Sequence, residues 1–188
     1  MTYRNIFISF ALMLVILFSV WTMFFMDHSR NLNTQEEKQL PDALMEEVTA
    51  ITMNKQGQPT MKVVSPQIIH YAKEDATYFT QPDITLYRKS PQPWNVTATH
   101  AKAIQGVDQI NFWGAVTIHH PADQNNPTTL IKSPTLTVYL SQQIAETNDK
   151  ITLIQPNVTI NATGMQANMN TGEIKLLSEA RGEYVPSS

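Results

Sequence analysis

The sequence predicts an all-β protein, a rolled antiparallel sheet preceded by one N-terminal transmembrane helix. Three observations carry this expectation. Apolar and polar residues alternate with a period of two through much of the chain after Pro41. A short phrase, Pro or Gly, a spacer, then apolar-Thr-apolar, occurs three times: Pro82-Asp83-Ile84-Thr85-Leu86, Gly114-Ala115-Val116-Thr117-Ile118 and Pro156-Asn157-Val158-Thr159-Ile160. An uncharged apolar run extends from Ile6 to Met26.

The apolar run comes first. It includes Ile6, Leu14, Trp21 and Met26, and as a helix it would span about 30 Å, the thickness of a bilayer core. A cleaved signal peptide would have a shorter apolar region ending in small residues. Here the run ends Val20-Trp21-Thr22-Met23-Phe24-Phe25-Met26 without an Ala-x-Ala pattern, so the reading is a retained anchor. Arg4 precedes the run, while Asp27 and Arg30 follow it. That slight positive bias puts the N-terminus in the cytoplasm and the body across the membrane. The chain divides into an anchor (1–27), a polar linker (28–40) and a β body (41–188).

The body reads as strands. Met61 and Val63 share a face, as do Ile84 and Leu86, then Trp94, Val96 and Ala98. Leu136, Val138 and Leu140 alternate with Thr and Tyr, and Ile174 and Leu176 share a face near the end. Such alternation marks strands with one dry and one wet face. Breaks fall at Gln56-Gly57-Gln58-Pro59, Ser90-Pro91-Gln92-Pro93, Pro121 to Pro127 and Thr171-Gly172. Short gaps of this kind suit meanders and hairpins. The Pro or Gly of each repeated phrase is read as a kink, because proline removes a ladder donor and glycine permits a bend. Kinked strands let a sheet roll over itself. With no helix to cap its dry face, the roll must close or leave an apolar trough.

Little in the body points to chemistry. Net charge is −3 and charged residues make up 15% of the chain, which offers no footprint for nucleic acid. There is no cysteine, hence no disulfide, thiolate metal site or Cys nucleophile. His119-His120 is the only histidine pair. Adjacent strand residues face opposite ways, so a solvated strand end is expected there rather than a metal site. No glycine-rich phosphate loop occurs. No acid, base and nucleophile cluster is evident, so neither an enzyme nor a cofactor is expected. The aromatics Tyr78, Phe79, Trp94, Phe112, Trp113 and Tyr139 fit core packing better than a groove lining.

The anchor, the linker, Asn54-Lys55-Gln56-Gly57, Tyr78-Phe79-Thr80-Gln81-Pro82 and the downstream Trp94 together resemble the LptC family of lipopolysaccharide transport proteins. The Gly114 phrase and the closing strand from Glu173 to Tyr184 support the likeness. The resemblance implies a periplasmic β-jellyroll held in the inner membrane by a single-pass helix. It implies lipopolysaccharide as cargo, taken from the ATP-driven LptB, LptF and LptG extractor and passed to LptA. By resemblance Val48, Phe79, Ile174 and Tyr184 line the lipid path. Alternation adds Ile84, Leu86, Leu136, Val138 and Leu176. The resemblance also sets Met45, Val48 and Met53 on the extractor side and Ile174, Leu176 and Tyr184 on the LptA side. The rival reading is a structural adaptor that docks partners by strand addition and binds no lipid.

Overall fold

The computed structural model describes residues 21, 40–89, 92–104, 106–124 and 126–185. The anchor expected over 6–26, including Ile6, Leu14 and Met26, lies outside the described residues except for Trp21. Among the described residues no helix is long and apolar enough to cross a membrane.

The described body is one antiparallel sheet of eleven strands: β1 (Ala43–Met53), β2 (Pro59–Tyr71), β3 (Ala76–Thr80), β4 (Asp83–Leu86), β5 (Trp94–Thr97), β6 (His100–Ile104), β7 (Gln109–His120), β8 (Thr129–Tyr139), β9 (Ile144–Gln155), β10 (Val158–Asn168) and β11 (Ile174–Tyr184). The only described helical element in the body is a 3-10 turn, Ala72–Glu74. Strand β2 pairs with both β3 and β4, and β7 pairs with both β6 and β5. The segments β3–β4 and β5–β6 are therefore two kinked strands. The topology is a plain meander, with each long strand beside its sequence neighbours. Its edges are β1, laddered to β2, and β11, laddered to β10.

Every long strand bends at the same level. Glu47, Gln81, Ala115 and Glu179 adopt positive φ there (51°, 44°, 51° and 51°), as do Gly114 and Gly164 (79° and 75°). Ladder irregularities fall at these points in β7, β8 and β10. Inward positions slip by one residue across the bend: 63 and 65 give way to 68, 131 and 133 to 136, 162 to 165. Without a bulge that slip would turn the next apolar set outward. Side-chain hydroxyls bond to carbonyls at the bend. Ser65 Oγ donates to Gln67 O and Thr80 O (2.8 and 2.7 Å), Ser133 Oγ to Thr135 O (2.7 Å) and Thr99 Oγ1 to Gly114 O (2.8 Å). Backbone bonds from Gln81 N to Thr99 O and from Thr99 N to Gly114 O carry the ladder through the corner.

The bend folds the sheet into two facing layers. One layer holds 67–71, 109–113, 135–139 and 165–168; the other holds 59–65, 116–120, 129–133 and 158–163. Their far ends meet. Trp94 Nε1 in the second layer donates to Met169 O (3.0 Å), just past β10 in the first. A Cβ on Gly172, in the β10–β11 turn, would stand 3.0 Å from Asn126 Nδ2, in the β7–β8 loop. The core between the layers includes Ile84, Leu86, Trp94, Val96, Ile110, Phe112, Ile118, Ile131, Leu136, Val138 and Met165.

The first and second repeated phrases behave as expected, with Pro82 and Gly114 at the corner. The third does not. Pro156 and Asn157 form the turn between β9 and β10, and the kink of β10 lies at Gly164. Proline pre-sets the φ of a turn's first central residue, so the same residue type serves as a hairpin turn here.

Candidate functional site

The candidate site is the apolar space between the layers, reached along the two edge strands. Five of the expected lining residues lie deep within it: Phe79, Ile84, Leu86, Leu136 and Val138 are all buried. Val48, Ile174 and Leu176 are half-buried and pack against the core from the edges. In register, Val48 stands opposite Ser65 on β2, Ile174 opposite Ala167 and Leu176 opposite Met165 on β10. The middle is thus filled by side chains, and the edges present apolar surface without displacing the core. Tyr184 is 67% exposed at the end of β11, outside the interior. Met45, Met53 and Leu44 on β1 and Leu177 on β11 are exposed apolar residues on edge strands. An edge with unpaired backbone groups and apolar side chains is a template for strand addition.

The aromatic residues divide as their alternation implies. Phe79, Trp94 and Phe112 are buried, while Trp113 is exposed on the outer face. Outside the roll, Lys102 Nζ sits 4.7 Å from the Tyr78 ring centroid and 3.1 Å from Glu74 Oε2. The Lys102 and Tyr78 hydrogen bonds hold the Glu74 carboxyl below its ordinary range.

His119 and His120 do face opposite ways, but His120 is not a solvated strand end. Its side chain is 2% exposed and lies 3.9 Å from Asp123 Oδ2, whose side chain is equally buried. Its ring centroid lies 4.6 Å from that of Trp94, the two planes tilted by 44°. The strand-end position hid this, because the Trp94 ring and the Asp123 carboxylate, which lie beside the imidazole, come from outside β7. Among the described residues no cluster of three or more His, Asp or Glu converges as a metal site.

Burial pushes the His120 pKa below its ordinary 6.5; Asp123 and a backbone bond to Gln92 oppose that push, and His119 adds to it. A histidine held neutral in the fold is protonated first in the unfolded chain. Stability is therefore intact above about pH 6.5 and falls with pH until the folded-state pKa is reached. Melting curves should show a drop as the pH falls through and below about 6.5 that His120→Gln makes shallower. Equal pH slopes for the two chains would remove His120 from this role.

The corner residues were the signal missed in the sequence. Ser-Pro occurs inside β2 as Ser65-Pro66 and inside β8 as Ser133-Pro134. The serine hydroxyl replaces a lost ladder bond and the proline removes a donor. Both pairs were legible as interior strand breaks.

A comparison with curated proteins finds no match. The solved structure of LptH, the LptA homologous periplasmic component of the conserved lipopolysaccharide transport device from Pseudomonas aeruginosa, is similar with a TM-score of 0.54 at 9% identity. The match covers 67% of this chain and 95% of that one, and it identifies the rolled sheet as an LptA-like jellyroll. The profile of the lipopolysaccharide-assembly, LptC-related family matches residues 12–185. Over that span the chain belongs to the LptC-related family, and it is a component of lipopolysaccharide transport and not an enzyme.

Proposed function

We propose that the protein is an inner-membrane-anchored, periplasmic carrier that accepts lipopolysaccharide from the LptB, LptF and LptG extractor at β1 and passes it to LptA at β11. The observation that carries this reading is the continuity of apolar surface from the half-buried Val48 on one edge, through the core, to the half-buried Ile174 and Leu176 on the other. Acyl chains gain about 0.8 kcal/mol per CH₂ removed from water. The filled interior means that cargo must separate the layers as it enters, and ATP hydrolysis in the partner supplies the direction. The sugar headgroup stays outside the apolar interior. The uncharged run 6–26 serves as the anchor with a cytoplasmic N-terminus, and the edges β1 and β11 add strands to the partners' sheets.

Photo-crosslinkers at Phe79 and Ile174 are expected to capture lipopolysaccharide when ATP drives transport, with Phe79 silent without ATP because its side chain is buried. Capture confined to outward positions such as Trp113 would overturn the reading. The filled core favours a second reading, a strand-adding adaptor that binds no lipid. It expects capture at neither inward position while both edges still bind partners.

A further inference from the structure

A hollow of about 420 Å³ lies where the far ends of the layers meet. Its walls come from the β1–β2 turn, the end of β4, and the β8–β9 and β10–β11 turns. Three buried polar side-chain atoms among the described residues lack a hydrogen-bond partner: Arg88 Nε, Gln143 Oε1 and Asn170 Oδ1. All three residues line this one hollow. Orphaned buried groups reduce stability, so three around one hollow point to something that they are built to meet.

The remaining groups define what that is. Arg88 Nη1 donates to Thr60 O (3.1 Å) and Tyr87 O (3.0 Å), which fixes the guanidinium and leaves Nε–H unused. Lys89 adds a second cation, and among the described residues no carboxylate lines the hollow. The β1–β2 turn is already satisfied: Asn54 Oδ1 accepts from Gln56 N and Gln58 N at 2.9 Å, and Asn54 Nδ2 donates to Gln58 Oε1 at 3.1 Å. Unmatched needs are therefore an anion for Arg88 and Lys89 and hydrogen-bond donors for two amide oxygens. The volume is many times the ~30 Å³ of one water and lies within the ~300–1,000 Å³ range of small-molecule sites.

We propose that this hollow binds a phosphorylated sugar, the Arg88, Gln143 and Asn170 side chains turning to present Nε–H to a phosphate beside Lys89 and the two amide oxygens to donating sugar hydroxyls. A lipopolysaccharide headgroup and a free sugar phosphate share this chemistry. The headgroup source rests on the proposed function; the soluble source does not. Because the lining comes from both layers, an occupant fastens their far ends together and raises the melting temperature by mass action.

Calorimetric titration of the full chain, in a detergent without a sugar headgroup, tests the site with glucose 1-phosphate, glucose and inorganic phosphate. Glucose 1-phosphate is expected to bind about tenfold or more tighter than either fragment. Gln143→Glu adds a negative charge to the hollow that takes the phosphate and should weaken binding about tenfold. Gln143→Leu should also weaken it, yet raise the melting temperature of the unliganded chain by removing an orphaned oxygen. No binding of glucose 1-phosphate, or none lost in Gln143→Glu, overturns the proposal. Equal binding of inorganic phosphate, an adventitious ion only, overturns it as well. Displacement of bound glucose 1-phosphate by lipopolysaccharide micelles assigns the headgroup as the source, and failure to displace assigns the soluble sugar. Neither result depends on crosslinking at Phe79 or Ile174, so the two readings fail separately.

Discussion

Replacing Trp94 with alanine is expected to destabilise the β body by about 3–5 kcal/mol, the range for truncating a large buried aromatic. Trp94 is 2% exposed at the start of β5 and packs, tilted, against the buried His120 ring. Its indole N–H donates to Met169 O across 75 residues of sequence, so it ties the far end of one layer to the turn that ends the other. Trp94→Phe separates the two contributions. The ring remains, but Met169 O is left buried without that donor, at a cost of about 1–3 kcal/mol. Urea denaturation gives the stabilities. Amide exchange locates the effect. The Met169 amide, bonded to Gln143 O, and the Gly172 amide, bonded to Asn168 O, should lose protection in Trp94→Phe before the corner strands do. If exchange in the β10–β11 turn is unchanged, the layers are held together elsewhere. The same variant bears on transport. A carrier whose filled interior must part for cargo has its opening energy set partly at this fastening, so Trp94→Phe should let a crosslinker at Phe79 capture lipopolysaccharide at lower ATP turnover.

Much of this architecture was legible because a strand with one dry face writes its period into the sequence. Ile84 and Leu86, Trp94 and Val96, and Leu136 and Val138 all alternate as read, and all are buried. The meander was legible from short polar breaks, and the kink residues Pro82 and Gly114 from the repeated phrase. What stayed hidden has a common cause. Glu47, Ala115 and Glu179 bend with positive φ although their side chains do not favour it. Their conformations are imposed by neighbouring strands that bend at the same level, so no local signal marks them. Pro156 misled because proline suits both a kink and a turn. His120 reads as a strand-end residue until Trp94 and Asp123 are seen beside its ring. The hollow at Arg88 gathers residues from four separate parts of the chain, and no spacing rule joins them. The edges were legible only as first and last strands, and their exposed apolar residues became visible once each was seen to have one laddered neighbour.

Gly114→Val is expected to cost about 3 kcal/mol or more, joining strain from a β-branched residue at positive φ to overpacking. Gly114 has φ +79°, and a Cβ there would stand 2.8 Å from both Thr99 Cβ and Thr99 Oγ1. These atoms cannot swing away cheaply, since Thr99 Oγ1 and Thr99 N both bond to Gly114 O. Gly57 and Gly106 supply the control. Each also has positive φ, but a Cβ at either meets nothing within 4 Å, so alanine there should cost only about 1 kcal/mol of backbone strain. Gly114→Ala should exceed that by about 1–2 kcal/mol, the part due to the collision. A cycle with Thr99→Gly isolates it: removing the opposing side chain should recover most of the excess, which appears as a coupling energy of about 1 kcal/mol. If Gly114→Ala costs no more than Gly57→Ala, the corner has slack, and the roll is not set by close backbone approach at this point. If the excess appears and Thr99→Gly removes it, the corner is a rigid fold line. On the carrier reading proposed above, the layers then part at their far ends and open edges, where Trp94, Val48 and Ile174 lie, and not by straightening the bend.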